Sequence, residues 1–312
     1  MALKLFIDGA AGTTGLEIAD RLAGRGDLER IALGEEERKS PCARRDALNA
    51  ADIAILCLPD DAAREAVAMI DPGGGTRVID ASSAHRTAPG WTYGFPELVG
   101  RDLVAEARMV SNPGCYPTGF LALLAPLVQG GLLPAEWPYT VNAVSGYSGG
   151  GKPLIERFER ERRLAYRAYG LSLGHKHLAE MQVHAGLRHA PVFSPAVISA
   201  MRGMVVDVPL PLAAMPGAAS PLALHAYLHE RYLGHRLVRV MPMSDSPAEI
   251  LLHADAEPWD GIDLYVYADD GGSQARLVAR LDNLGKGASG AAVQTLNLMA
   301  GVDEYLGLRL PF

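Results

Sequence analysis

A cysteine stands between turn formers in VSNPGCYPTGF, residues 110–120, and an apolar run opens directly after it: Phe120, Leu121, Leu123, Leu124, Leu127 and Val128. Those residues recur at helical spacing, and Pro117 suits the first helical position, where a missing N–H costs nothing. Cys115 is therefore expected just ahead of a helix N-terminus, facing orphan N–H groups and the positive end of the dipole. That setting stabilises a thiolate, the nucleophilic form. Pro113 and Gly114 supply an abrupt turn that keeps the sulfur off the core. A thiol packed as a small apolar residue is the plainer alternative, and the turn and the helix start argue against it. A thiol nucleophile needs a base, and the base an orienting carboxylate. GHKHLAEMQVH carries candidates for both, with His175 or His177 as the base and Glu180 as the carboxylate. The His-x-His pair has no third ligand at a familiar metal spacing, so no metal is expected.

A second constellation lies at the start of the chain. LKLFIDGAAGTTGLEIADRLAG reads as strand, glycine-rich turn and helix, with Leu16, Ile18, Ala19 and Leu22 expected as the inner face. Gly9, Gly12 and Gly15 follow a GxxGxxG spacing and not the GxGxxG dinucleotide fingerprint. The physics is similar: bare N–H groups of such a turn, continued by Thr13 and Thr14 at the helix start, can cradle a pyrophosphate. GEEERKSP, residues 34–41, lies beyond the second strand, where an adenosine ribose is read. Glu35, Glu36 and Glu37 favour the ribose hydroxyls of NAD; Arg38, Lys39 and Ser40 favour the 2′-phosphate of NADP. Composition leaves the two open. Ser82 and Ser83 close a strand, where parallel sheets bind ligands.

Several elements must position these groups. RIAL, IAILCLP and TRVIDASS alternate with helices, one of them near residues 62–70, which indicates a parallel, doubly wound α/β sheet. After the Cys115 helix, YTVNAVSGYSGGGK runs from a strand into a small-residue loop bearing Ser145, Gly146 and Ser148. ERFERERRLAYRAYG reads as a charged helix. PVFSPAVISAMRGMVVDVPLPL is extended, and Pro195, Pro209 and Pro211 suggest edge strands or strand ends. A hairpin turns around Asp269–Gly272. This second part reads as an antiparallel α+β domain, and GKGASGAAVQTLNLMAGV as a helix that returns to the first. The expected organisation is a Rossmann domain over 1–115, completed by 286–312, and an α+β catalytic and oligomerisation domain over 116–285.

Composition bounds the partners. The chain has 312 residues, 49% of them hydrophobic, and a formal net charge of -7, so it has no electrostatic footprint for nucleic acid or an anionic membrane. Three cysteines without metal spacing suit a reducing compartment. The N-terminus reads as a strand and not a signal peptide, and no stretch is long enough to span a bilayer. A cytoplasmic protein with a small-molecule substrate is expected.

Taken together, FIDGAAGTTGLEI, CLPDDAA, IDASSAHR, YGFPEL, SNPGCYPTG, SGYSGGGK, GHKHLAEM and DNLGKGASGAAVQTLNLM resemble, in order and over nearly the whole chain, the N-acetyl-gamma-glutamyl-phosphate reductase family, in its shorter type. Ala179 departs from the proline that the resemblance would place before Glu-Met. The resemblance implies a semialdehyde-dehydrogenase fold and an NADP-dependent oxidoreductase of arginine biosynthesis, active as a homodimer or homotetramer. It would reduce N-acetyl-L-glutamyl 5-phosphate, an acyl phosphate, to the 5-semialdehyde through a Cys115 thioester, with release of phosphate. It further implies His175 as the acid/base, His177 as a substrate contact and Glu180 as the residue orienting one ring. Arg86 would meet the substrate phosphate, and Ser145, Gly146 and Ser148 the phosphate or the nicotinamide side. Asn283 would bond the nicotinamide amide. Reductases of aspartyl phosphate or N-acetyl-aminoadipyl phosphate share nearly every motif and differ in pocket size.

Overall fold

Apolar runs of strand length, separated by helices, build a parallel sheet first. In the computed structural model, which describes residues 2–310, β1 (Leu3–Asp8), α1 (Thr13–Arg21), β2 (Leu28–Ile31), α2 (Pro41–Ala50), β3 (Ile53–Leu56), α3 (Asp60–Ala68), β4 (Arg77–Asp80), β5 (Thr92–Tyr93), α4 (Pro96–Val99), α5 (Arg101–Glu106) and β6 (Met109–Ser111) follow one another. The sheet order is β2-β1-β3-β4-β6-β5, and the registered pairs are all parallel. Growth of the sheet reverses between β1 and β3, the switch point beside which such sheets take their ligands. Successive strand residues feed opposite faces. Leu5, Ile7, Ile53, Ile55 and Ile79 join Ile18, Leu22 and Val293 in one core, whereas Phe6, Ala54, Leu56 and Val78 join Leu48 and Ile70 in the other.

This compact unit runs through Pro113 and regains the chain at Ala288–Leu308. Its returning helix, Gly290–Ala300, is buried along most of its length because its small residues let it lie close to its neighbours. On α1 the inner stripe is Gly15, Ile18 and Leu22. Leu16 was expected to share it but is 58% exposed, because it lies about 100° around the helix from Gly15.

The second unit is Gly114–Gly287 with Arg309 and Leu310. Its first element is α6 (Cys115–Gln129), followed by β7 (Thr140–Gly146), α7 (Gly151–Arg160), β8 (Tyr166–Ala168), α8 (Leu178–Ala185), β9 (Val192–Ile198), β10 (Met204–Leu210), α9 (Pro221–Arg231), β11 (Val238–Val240), β12 (Ile262–Ala268) and β13 (Ala275–Leu281). Helix α6 starts two residues before the expected Pro117, so Cys115 is itself the first helical residue and belongs to this unit. Pro117 is tolerated in the third position because that N–H is an orphan too. Tyr116 to Leu127 are all buried, as befits a helix that is apolar on every side. It lies so close to β10 that a Cβ on Gly119 would stand 2.7 Å from Val206 Cγ2.

The seven strands of this unit run β11-β12-β13-β10-β7-β9-β8. The sheet is mixed where an antiparallel one was expected: β7 pairs with β9, and β11 with β12, in parallel. A parallel pair needs a long crossover, and α7, β8 and α8 supply it between β7 and β9. The charged stretch is therefore not one helix. Its only buried helical residue is Phe158, the helix ends at Arg160, and Tyr166–Ala168 pairs antiparallel with β9. Pro195 and Pro209 lie on inner strands, each where one neighbouring ladder has ended: β8 pairs only with Ala196–Ile198, and β7 only with Met204–Asp207. The hairpin turn stands as expected, with the Asp269 carboxylate accepting from Ser273 and Gln274. No helix among the described residues is long and apolar enough to cross a membrane.

Candidate active site

The thiol and the histidines lie within the second unit. Gly114 caps α6 in an extended conformation, and its peptide N–H donates to Glu180 Oε1 at 2.8 Å. Glu180, buried on α8, thus fastens the turn that presents Cys115. Cys115 is half-buried and its neighbour Tyr116 is buried, with the Tyr116 hydroxyl donating to the Ala196 carbonyl at 3.0 Å. Tyr169, just after β8, donates to the Tyr116 hydroxyl at 3.3 Å. Burial pushes both phenols up, Tyr169 to about 12, and the nearby Cys115 adds to the effect in each.

His175 sits in an aromatic box with ring centroids at 6.1 Å from Tyr116, 5.7 Å from Tyr169, 5.0 Å from Phe193 and 4.7 Å from His177. In an extended chain the two imidazoles of a His-x-His pair would share one face, but this segment is not extended. The chain turns here, His177 caps α8 in a helical conformation, and its peptide N–H donates to His175 Nδ1 at 3.1 Å. Burial, helped by the Lys176 charge, pulls His175 from 6.5 down to about 4. His177 is buried, and its ring lies 5.9 Å from that of Tyr116.

Ser145, Ser148 and Asn283 converge in the same unit. Asn283 Nδ2 donates to Ser148 Oγ at 2.8 Å. Its Oδ1 is buried without a hydrogen-bond partner among the described residues. Ser145 Oγ donates to the Gly146 carbonyl at 3.0 Å. A Cβ on Gly149 would stand 3.3 Å from Ser145 Oγ and 3.5 Å from Asn283 Nδ2. A one-turn π-helix, Gly285–Ser289, follows Asn283, and a Cβ on Gly287 would come within 2.9 Å of Cys115 Cβ.

The first unit holds the glycine turn. Gly9 has φ +85°, and a Cβ there would be 2.3 Å from the Cys57 carbonyl oxygen; one on Gly15 would be 2.5 Å from the Gly9 carbonyl oxygen. Gly12 N–H donates to that same Gly9 oxygen and caps α1, so Thr13 and Thr14 are its first residues, with their N–H groups at the open end. A cleft of about 350 Å³ adjoins the turn and is lined by Gly9, Ala10, Leu33, Arg30, Arg38 and Arg44, among others. Arg38 Nε donates to the Leu33 carbonyl, and Arg44 pairs with buried Asp8 at 2.8 Å. Ser40 instead caps α2 by accepting from the Ala43 N–H. Glu37 turns back to accept from the Gly34 N–H at 2.7 Å.

Ser82 and Arg86 are buried in this unit. Ser82 Oγ donates to Asp80 at 2.8 Å, and Asp80 also pairs with His85 Nδ1 at 2.6 Å. Arg86 donates to the Asn112 and Ala81 carbonyls. Among the described residues, no three His, Cys, Asp or Glu side chains gather as a metal ion requires. Sequence reasoning missed Arg30, Arg44, Tyr116 and Tyr169. Arg30 and Arg44 lie outside the loop where a phosphate contact was sought, and Tyr116 was passed over inside the motif that marked the thiol.

Residues 4–107 match the family described as semialdehyde dehydrogenase, NAD binding domain, and residues 115–283 its dimerisation domain. Aspartate semialdehyde dehydrogenase II of Vibrio cholerae has the same fold, with a TM-score of 0.69 at 16% identity over 96% of this chain and 99% of that one. The enzyme of Francisella tularensis gives 0.69 at 14% identity over 95% and 99%. The N-acetyl-gamma-glutamyl-phosphate reductases of Brucella ovis and Brucella abortus are each 52% identical over 311 residues, covering 96% of this chain and all of theirs. With that identity sustained from end to end, the chain belongs to the N-acetyl-gamma-glutamyl-phosphate reductases within the semialdehyde dehydrogenase family.

Proposed function

We propose that the protein reduces N-acetyl-L-glutamyl 5-phosphate to N-acetyl-L-glutamate 5-semialdehyde with release of phosphate, using NADPH and a Cys115 thioester. The observation that carries this reading is Cys115 at the first position of a buried helix, its turn fastened by Glu180 and the ring of its neighbour Tyr116 forming one wall of the His175 box. At that position the helix dipole favours the thiolate. The thiolate attacks the acyl carbonyl, a C–S bond forms, the C–O bond to phosphate breaks, and the leaving phosphate takes its proton from solvent. A bound reduced nicotinamide supplies one hydride. The alkoxide carried on Cys115 then collapses, the C–S bond breaks, and aldehyde and thiolate separate. N–H groups at the α6 start, with His175, stabilise each oxyanion, a contribution typically of ~3 kcal/mol per donor.

The turn at Gly9 and Gly15 has no room for a Cβ, which supports close approach of a pyrophosphate to bare backbone. The unpartnered Asn283 Oδ1 is an acceptor for a carboxamide N–H₂. NADP is favoured over NAD because the cleft presents Arg30, Arg38 and Arg44, and its one carboxylate, Asp8, is paired with Arg44. Arg38 is the residue we assign to the 2′-phosphate. Arg86 meets the substrate phosphate, His177 the substrate, and Ser145 and Ser148 the nicotinamide side. The dimerisation-domain match supports a homodimer or homotetramer. The decisive experiment is phosphate-dependent reduction of NADP by N-acetylglutamate semialdehyde and by aspartate semialdehyde. Preference for the N-acetylated substrate is expected; preference for aspartate semialdehyde would overturn the assignment.

A further inference from the structure

His175 has two ring nitrogens, and the fold has already used one. Its Nδ1 accepts the His177 peptide N–H at 3.1 Å. An acceptor nitrogen carries no proton, so the neutral ring bears its proton on Nε2. Protonating Nδ1 would set N–H against N–H at that contact. The surroundings disfavour a charged ring as well. Tyr116 on α6, Tyr169 after β8 and Phe193 on β9 wall it in. The adjacent charge on its own turn, Lys176, is positive. Arg167 lies over the Tyr169 ring at 4.6 Å. Glu180, the carboxylate on α8, accepts from the Gly114 N–H.

We propose that His175 is a fixed neutral donor, which offers Nε2–H to the oxygen of the acyl group on Cys115 and exchanges no proton during turnover. The proposal rests on the thioester reading above and narrows it. That chemistry balances without a proton on His175. Loss of phosphate from the first alkoxide and loss of thiolate from the second are both driven by the collapsing oxygen, and the one proton consumed goes to phosphate. What the site must provide is a donor aimed at the oxyanion, and a tautomer locked by backbone provides it with no reorganisation. The His177 peptide, and not only its side chain, is then the reason for the His-x-His spacing.

Nitrogen-15 NMR of histidine-labelled protein, with His175→Gln used to assign the ring signals, reads the tautomer without any substrate. The neutral Nε2–H form is expected to persist to about pH 5, between the ordinary 6.5 and the depressed value of about 4. A proton on Nδ1, or a charged ring at neutral pH, would overturn the proposal. Turnover gives the second arm. Glutamine keeps an N–H donor and loses proton exchange, so His175→Gln should stay within about tenfold of the parent, while His175→Ala falls ~10²–10³-fold. Equal losses in the two variants would mean that proton transfer matters, and the donor role would fail. Absence of NADPH-dependent turnover in the parent would sink the thioester reading instead, and the NMR would still decide the tautomer.

Discussion

The three cysteines occupy three environments, and their reactivities should separate accordingly. Cys57, half-buried after β3, is pushed up to about 12 by burial and by the Asp80 and Asp8 carboxylates, so it is a thiol at any working pH. Cys42 is exposed on α2, where its Sγ lies 3.9 Å from Asp46 Oδ2. Cys115 has the helix start. Alkylation followed by mass mapping should label Cys115 first, Cys42 later and Cys57 last, and acyl phosphate should slow only the first. Prior labelling of Cys42 would remove the case for an activated thiolate. Cys115→Ala should abolish turnover and leave cofactor binding within about twofold, since transition-state chemistry and ground-state binding are separable losses. Residual turnover within tenfold would exclude the thioester. At this scale the sequence was legible where turn formers flank a helix start: the placement of Cys115 at the α6 start and the tight turn of the three glycines were readable from types and spacing alone. Arg44 was not, because its role depends on a helix face meeting Asp8, 36 residues away. The contact of Glu180 with the turn before Cys115 was hidden for a similar reason. A carboxylate beside two histidines suggests a ring partner, and only the fold shows Gly114, 66 residues away, taking its Oε1.

Elements make these placements, and two of them invite direct tests. In Gly15→Ala the new methyl would meet the Gly9 carbonyl oxygen at 2.5 Å, and backbone cannot swing aside as a side chain can. We expect a cost of ~1–3 kcal/mol in stability, and a rise in the Michaelis constant for cofactor with little change for acyl phosphate. Equal effects on the two constants would argue that the turn holds no nucleotide. Arg30→Ala and Arg38→Ala together should weaken NADP more than NAD, because only the former carries a 2′-phosphate; equal weakening would make both arginines mere rim charges. The alternation of β and α was plain from apolar run length, and so was the hairpin. The mixed order of the second sheet was not. Parallel pairing of β7 with β9 depends on what crosses between them, and a charged stretch that splits into helix and strand gives no periodic signal of the split.

At the scale of the whole molecule, the depressed His175 makes folding stability depend on pH. The folded ring resists protonation until about 4, whereas an unfolded one charges near 6.5. The unfolded chain therefore binds more protons in that window, and stability falls as pH drops through it. The parent should lose melting temperature relative to His175→Gln between about 6.5 and about 4, and a difference that is flat across this range would contradict the assignment. Helix α6 has a broader consequence. The residue proposed for chemistry begins a helix whose next twelve residues are all buried, so the nucleophile has the rigidity of the core and not of a loop. Amide hydrogens of Phe120–Ala125 and of Leu127 should then exchange with deuterium only through global opening, as the slowest class in the second unit. A partly open form in which the thiol alone has come loose is then not expected. Heat, denaturant or a cavity such as Leu121→Ala, which costs ~2–5 kcal/mol, would switch the enzyme off only by depopulating the fold, and the molecules still folded would turn over at the full rate.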